Sequence, residues 1–148
     1  MLLLSLITSL FAADHDYIAT WRTTPDIVYC KNSKVALSDV KNAIDYWGTK
    51  GHDFGDLLIR ESCTTKPEFG LIKIGPPDAS IENDTYGHTH IKWAYDDTMD
   101  FAVVVISKEG SYIYEVVVHE IGHALGLDHS HNVNSIMYAK HVGTYTRM

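Results

Sequence analysis

His119, Glu120, His123 and His129, with Gly126 between the last two, stand at spacings that suit a single metal ion. Ile113, Val116, Val117, Ile121, Ala124 and Leu125 recur at steps of three and four, which predicts one helix over Tyr112 to Leu127. On that helix His119 and His123 are one turn apart, roughly 6 Å of rise, so both imidazoles leave the same face. Glu120 points about 100° round the helix from His119, within reach of a water on a shared ion without ligating it. That is the placement of a general base. Gly126 falls where the helix should stop, and glycine there can take the left-handed conformation that turns the chain back and returns His129 toward the ion. The competing reading makes the histidines partly solvated residues of an ordinary amphipathic helix. The conjunction of all these positions weighs against it.

The elements that must hold this helix read as a mixed fold. Tyr17 to Trp21 and Ile27 to Cys30 are β-branched and aromatic stretches around Pro25-Asp26, a first strand with an interrupted start. Ser38 or Asp39 can cap a helix carrying Val40, Ala43, Ile44 and Trp47 at helical spacing, with Gly48 as its stop. Leu57 to Arg60 and Phe69 to Ile74 read as strands, and Gly87 to Trp93 as another, with His88 and His90 on one face and Thr89 and Ile91 on the other. Phe101 to Ser107 is continuously apolar, as a strand covered on both faces would be. The order implies an α/β (α+β) domain in which two main helices lie against one twisted mixed sheet.

Composition bounds the rest. A chain of 148 residues with 45% hydrophobic content can bury a core of its own, and one domain over residues 14–148 is the natural count. The formal charge is -7 with no cluster of Lys or Arg, which argues against nucleic acid or an anionic membrane surface as partner. Met1 to Ala13 resembles a short secretory signal peptide, although it lacks a basic start and a buried N-terminal strand is the alternative; it is too short to span a bilayer. Export would place the protein outside the cell, and Asn83-Asp84-Thr85 would then be a glycosylation sequon. Cys30 and Cys63 are the only cysteines; paired, they would close a loop of 33 residues and contribute roughly 3 to 4 kcal/mol, and two free buried thiols are the alternative. His52-Asp53 and the Asp96, Asp97, Asp100 turn read as solvated loops, so a structural Ca2+ or a second Zn2+, the latter also conceivable at His88 and His90, is not supported.

HExxHxxGxxH followed by a methionine-containing turn is the metzincin signature, and it is complete here from His119 to Met137. Ser130 directly after His129, the distance to Met137 and the order of elements from Ile27 onward make the chain most similar to the matrixins, the matrix-metalloprotease-like family. The resemblance implies Zn2+ on His119, His123 and His129, Glu120 as general base and acid, and Met137 as a hydrophobic floor below the ion. It also implies a substrate groove in which Gly87, His88, Thr89 and His90 offer an edge strand to an extended antiparallel peptide, with Tyr138 and Ala139 walling the pocket beyond the cut. In astacin-like relatives a tyrosine two places after the methionine joins the metal site, whereas here Ala139 stands there.

Three departures from the family pattern set further expectations. No thiol-bearing prodomain is recognisable, so latency should be absent or work differently, with Asp14 or Asp16 near a new N-terminus as a candidate blocker. Ten residues follow Tyr138, too few for the helix that usually comes next. The structural zinc and calcium ligands of animal members are not found, which suits a pared-down microbial or viral member. The function expected is a zinc-dependent endopeptidase acting as a monomer on protein or peptide substrates. The alternative is a catalytically silent, metal-stabilised binding protein of the same fold, and a hydrolase acting on something other than a peptide stands behind it.

Overall fold

A computed structural model describes residues 16–78, 85–139 and, for the backbone, 144–147. The expected leader over Met1 to Ala13 lies outside the described residues, as do Asp14, Asn83 and Asp84. The elements follow in the order β1 (Thr20–Trp21), β2 (Asp26–Cys30), α1 (Leu37–Thr49), β3 (Leu57–Arg60), β4 (Leu71–Gly75), β5 (Gly87–Trp93), β6 (Thr98–Ile106), α2 (Tyr114–Ala124) and β7 (Thr144–Arg147). They form a mixed α/β fold: two helices and one sheet in the order β3-β2-β4-β6-β5-β7, with β1 pairing β6. All the ladders are parallel except β5 with β6. The architecture agrees with a matrixin catalytic domain.

β6 holds the centre because its second half, from Ala102 to Ile106, carries only apolar side chains. Ala102, Val103, Val104, Val105 and Ile106 are all buried, as a doubly covered strand requires. Ala102, Val104 and Ile106 join one core with Val40, Ala43 and Trp47 of α1 and Val116, Val117, Ile121 and Ala124 of α2. Trp47 ties the two helices together, its indole Nε1 donating to the Val118 carbonyl at 2.9 Å. Cys30 and Cys63 form a disulfide with Cα atoms 5.7 Å apart, so β2 is bound covalently to the segment that leaves β3.

Three sequence expectations need correction. Neither Ser38 nor Asp39 caps α1: the helix winds from Ala36, whose carbonyl already accepts from Asp39 N at 3.0 Å, and Asp39 stands inside the first turn, where the helix dipole favours an acid. The long helix is shorter than Tyr112 to Leu127. Ile113 is extended behind a 3-10 turn at Gly110–Tyr112, and the residues after Ala124 are used to turn the chain. Finally, β5 is not the edge of the sheet. β7 pairs with it in parallel from His88↔Thr144 to Ile91↔Arg147, because an open row of strand N–H and C=O groups is satisfied by any extended segment within reach.

Candidate metal centre

α2 presents His119 and His123 from successive turns, both fully buried, with ring centroids 4.6 Å apart. The helix then ends in a Schellman turn: Gly126 N donates to His123 O at 2.9 Å, Leu127 N donates to Gly122 O at 3.1 Å, and Gly126 has φ 94°. Glycine is required there twice over. A side chain would be strained at that φ, and a Cβ would overlap the carbonyl oxygen of Ala19.

That oxygen belongs to a brace that sequence reasoning missed. Ile18 N donates to Gly126 O at 2.7 Å, Asp128 N donates to Asp16 O at 2.8 Å, and Trp21 Nε1 donates to Ala124 O at 2.8 Å. Residues 16–21 thus satisfy polar groups of the helix end and of the turn after it. No local spacing announces such a contact, since its partners are more than a hundred residues apart in the chain.

Beyond the turn His129 comes back to the helix. Its Nε2 lies 3.1 Å from Nε2 of His123, and its ring centroid is 5.3 Å from that of His119. One nitrogen from each of the three rings lies within 4.8 Å of the others. The segment through Met137 closes the far side. Ser130 N donates to Met137 O at 2.8 Å, His119 Nδ1 donates to Ile136 O at 2.7 Å, and Met137 is fully buried.

The hydrogen bonds determine which nitrogens can bind. A neutral imidazole has one N–H and one lone pair. With Nδ1 of His119 held by Ile136 O, and Nδ1 of His123 held by Leu127 O at 2.8 Å, both rings turn lone pairs at Nε2 toward the cluster. Burial, and then the neighbouring His119, push His123 down to about 2, so it stays neutral across ordinary pH. The Nε2 lone pair of His123, 3.1 Å from Nε2 of His129, can accept that ring's proton in a hydrogen bond or share a cation with it. The spacing is near the edge of a tetrahedron with zinc–nitrogen bonds of about 2.05 Å, about 3.3 Å.

Glu120 is fully buried and faces β5. Its Oε2 lies 2.6 Å from Thr89 Oγ1, which also lies 2.9 Å from the backbone oxygen of Glu120. A hydroxyl has one proton, so both contacts are satisfied together when the carboxyl is itself protonated and donates to Thr89. Desolvation agrees, pushing Glu120 up to about 8 against the opposing Thr89 hydrogen bond. A cation held beside it would pull that value down again.

The other expected groove residues are divided between environments. Gly87 and Thr89 face Glu120, and Thr89 is buried against α2 instead of lining an open groove. His88 is buried on the opposite side of the strand, its ring 4.5 Å from that of His90. Asp78, which the sequence did not connect with these histidines, comes within 3.8 Å of His90. Tyr138 is half-buried and Ala139 exposed.

Residues 75–147 match the family model described as Matrixin. The chain is 26% identical over 119 residues to matrix metalloproteinase-A of Caenorhabditis elegans, covering 73% of this chain and 23% of that protein. It is 36% identical over 61 residues to human matrix metalloproteinase-15, covering 41% and 8%. A probable matrix metalloproteinase of Invertebrate iridescent virus 3 is 64% identical over 31 residues, covering 21% and 8%. These matches support a matrixin-like family for the chain. It spans less than a quarter of the length of these relatives. A matrixin-like fold implies zinc, and the three-histidine cluster could bind such an ion: its donors converge, and the rings of His119 and His123 are oriented by carbonyls behind them.

Proposed function

We propose that this matrixin-like chain is a zinc-dependent endopeptidase, with residues 14–148 as its catalytic domain. The observation that carries the reading is the convergence of His119, His123 and His129 beside a buried carboxyl group on the same helix. The three histidines would hold the ion, and a zinc so held supplies Lewis acidity, bringing the pKa of a coordinated water from about 15.7 toward 7. Glu120 takes the proton of the attacking water and hands it to the departing amine, acting first as base and then as acid. Met137 gives the ligand cluster an apolar floor, which limits access of bulk water to the imidazoles. Three protein ligands with a carboxyl group alongside suit catalysis better than a structural zinc, whose shell would normally be closed by four.

Secretion is part of the same proposal. The Cys30–Cys63 disulfide fits an oxidising compartment, and no helix among the described residues is long and apolar enough to cross a membrane.

The test joins metal content to turnover. The purified chain should carry zinc and cleave a quenched peptide library in a chelator-sensitive way. Glu120→Ala should keep zinc and fold but lose activity by about 10²- to 10⁴-fold. Equal turnover by that variant would remove the role assigned to Glu120, and zinc without any cleavage by the parent chain would favour the silent binding protein.

A further inference from the structure

β5 touches Glu120 at two positions of one face, Gly87 and Thr89, and the two contacts differ in kind. At Thr89 a buried hydroxyl spans the backbone oxygen and side-chain Oε2 of the same glutamate, at 2.9 and 2.6 Å. Such a clip restricts the rotation of the side chain relative to its own helix. At Gly87 the strand leaves room. A Cβ there would lie 2.7 Å from Glu120 Cγ and 3.0 Å from Oε1, closer than a real side chain tolerates. Oε1 is buried and has no hydrogen-bond partner among the described residues.

The strand is a rigid support for this grip. Gly87 and Thr89 are in antiparallel register with the buried Ile106 and Val104 of the central strand, so neither can shift without disturbing the ladder. One carboxyl oxygen is therefore fixed from β5, and the other is left for use.

We propose that Thr89 is a positioning residue for Glu120, holding Oε2 so that Oε1 is the oxygen that exchanges protons with the attacking water, with Gly87 as the space that permits this rotamer. The inference rests on the endopeptidase reading for its consequence in turnover, but not for its geometry. A misplacement of about 1 Å in a group that acts on the reacting atoms can cost about 10²-fold in rate.

Thr89→Val keeps the shape and removes the hydroxyl, whereas Thr89→Ser keeps the hydroxyl. Thr89→Val should lower kcat by about 10²-fold with KM and zinc content unchanged, and Thr89→Ser should restore most of it. Gly87→Ala leaves the hydroxyl in place and pushes the carboxyl group from the other side; it should show the same fall in kcat, and provides the test if Thr89→Val does not fold. Independently of turnover, the 13C resonance of the Glu120 carboxyl group, assigned by its loss in Glu120→Gln, should move in Thr89→Val and stay in Thr89→Ser. Parental kcat in the folded Thr89→Val or in Gly87→Ala overturns the proposal. So does a serine variant as impaired as the valine one, or a carboxyl resonance that ignores the loss of the hydroxyl. A parent chain without peptidase activity refutes the endopeptidase reading instead, and the resonance still decides whether Thr89 holds Glu120.

Discussion

Met137 packs against the one residue between His119 and His123 that has no room for a side chain: a Cβ on Gly122 would collide with Met137 Sδ and lie 2.7 Å from Trp47 Cζ2. The turn through Met137 and helix α2 therefore share a surface with no slack. The site is held from below by packing, from Ile136 by a hydrogen bond to His119, and from β5 through Thr89.

Gly122→Ala sets two effects against each other. Removing glycine from a helix interior gains about 1 kcal/mol of helix propensity. Forcing a methyl group between Met137 and Trp47 costs about 1 to 3 kcal/mol of overpacking, and both neighbours are fully buried. The net result should be a loss of about 1 kcal/mol together with weaker zinc binding, read from chemical unfolding and a competitive metal titration. A more stable variant with parental zinc affinity would show that Met137 yields freely.

Metal should stabilise the fold measurably. An ion that binds the native chain at a free concentration 1,000 times its Kd adds about 4 kcal/mol. Stripping with a chelator should lower the unfolding midpoint, and added zinc should restore it in the parent chain but not in His119→Ala. Midpoints indifferent to zinc in both would place the ion elsewhere or nowhere.

His88 gives the stability a pH dependence of definite sign. Burial, reinforced by His90 and opposed by Asp78, lowers His88 from 6.5 to about 4. Between those values the unfolded chain binds a proton that the folded chain refuses, so stability is full above pH 6.5 and falls as pH drops toward 4. The loss is at most about 3 kcal/mol, and His123 adds a slope of the same sign. Unfolding midpoints followed from neutral pH to pH about 4.5 should decline less steeply in His88→Gln than in the parent. Parallel declines would mean that His88 is not held neutral by the fold.

β7 and an extended substrate would compete for the same backbone groups of β5. If the pairing contributes about 1.4 kcal/mol, truncation before Thr144 should lower KM for long peptides about tenfold and leave kcat alone. A KM that does not move would show that the tail leaves the strand at no cost, or that substrate binds elsewhere.

The three-histidine cluster was legible in the chain because its pattern is local. His119 and His123 need only a helix to share a face, and Gly126 needs only its freedom at positive φ to end that helix. Alternation likewise separated Thr89 from His88 and His90, and a continuous apolar run identified β6 as central. What tertiary structure alone decided was which distant surfaces meet. It brought Thr89 to Glu120, Ala19 to Gly126, Gly122 to Met137 and Asp78 to His90, and it laid β7 along β5. Spacing along a chain specifies the direction of a side chain within its own element, whereas a partner across the fold is set by the packing of whole elements, which no short pattern encodes.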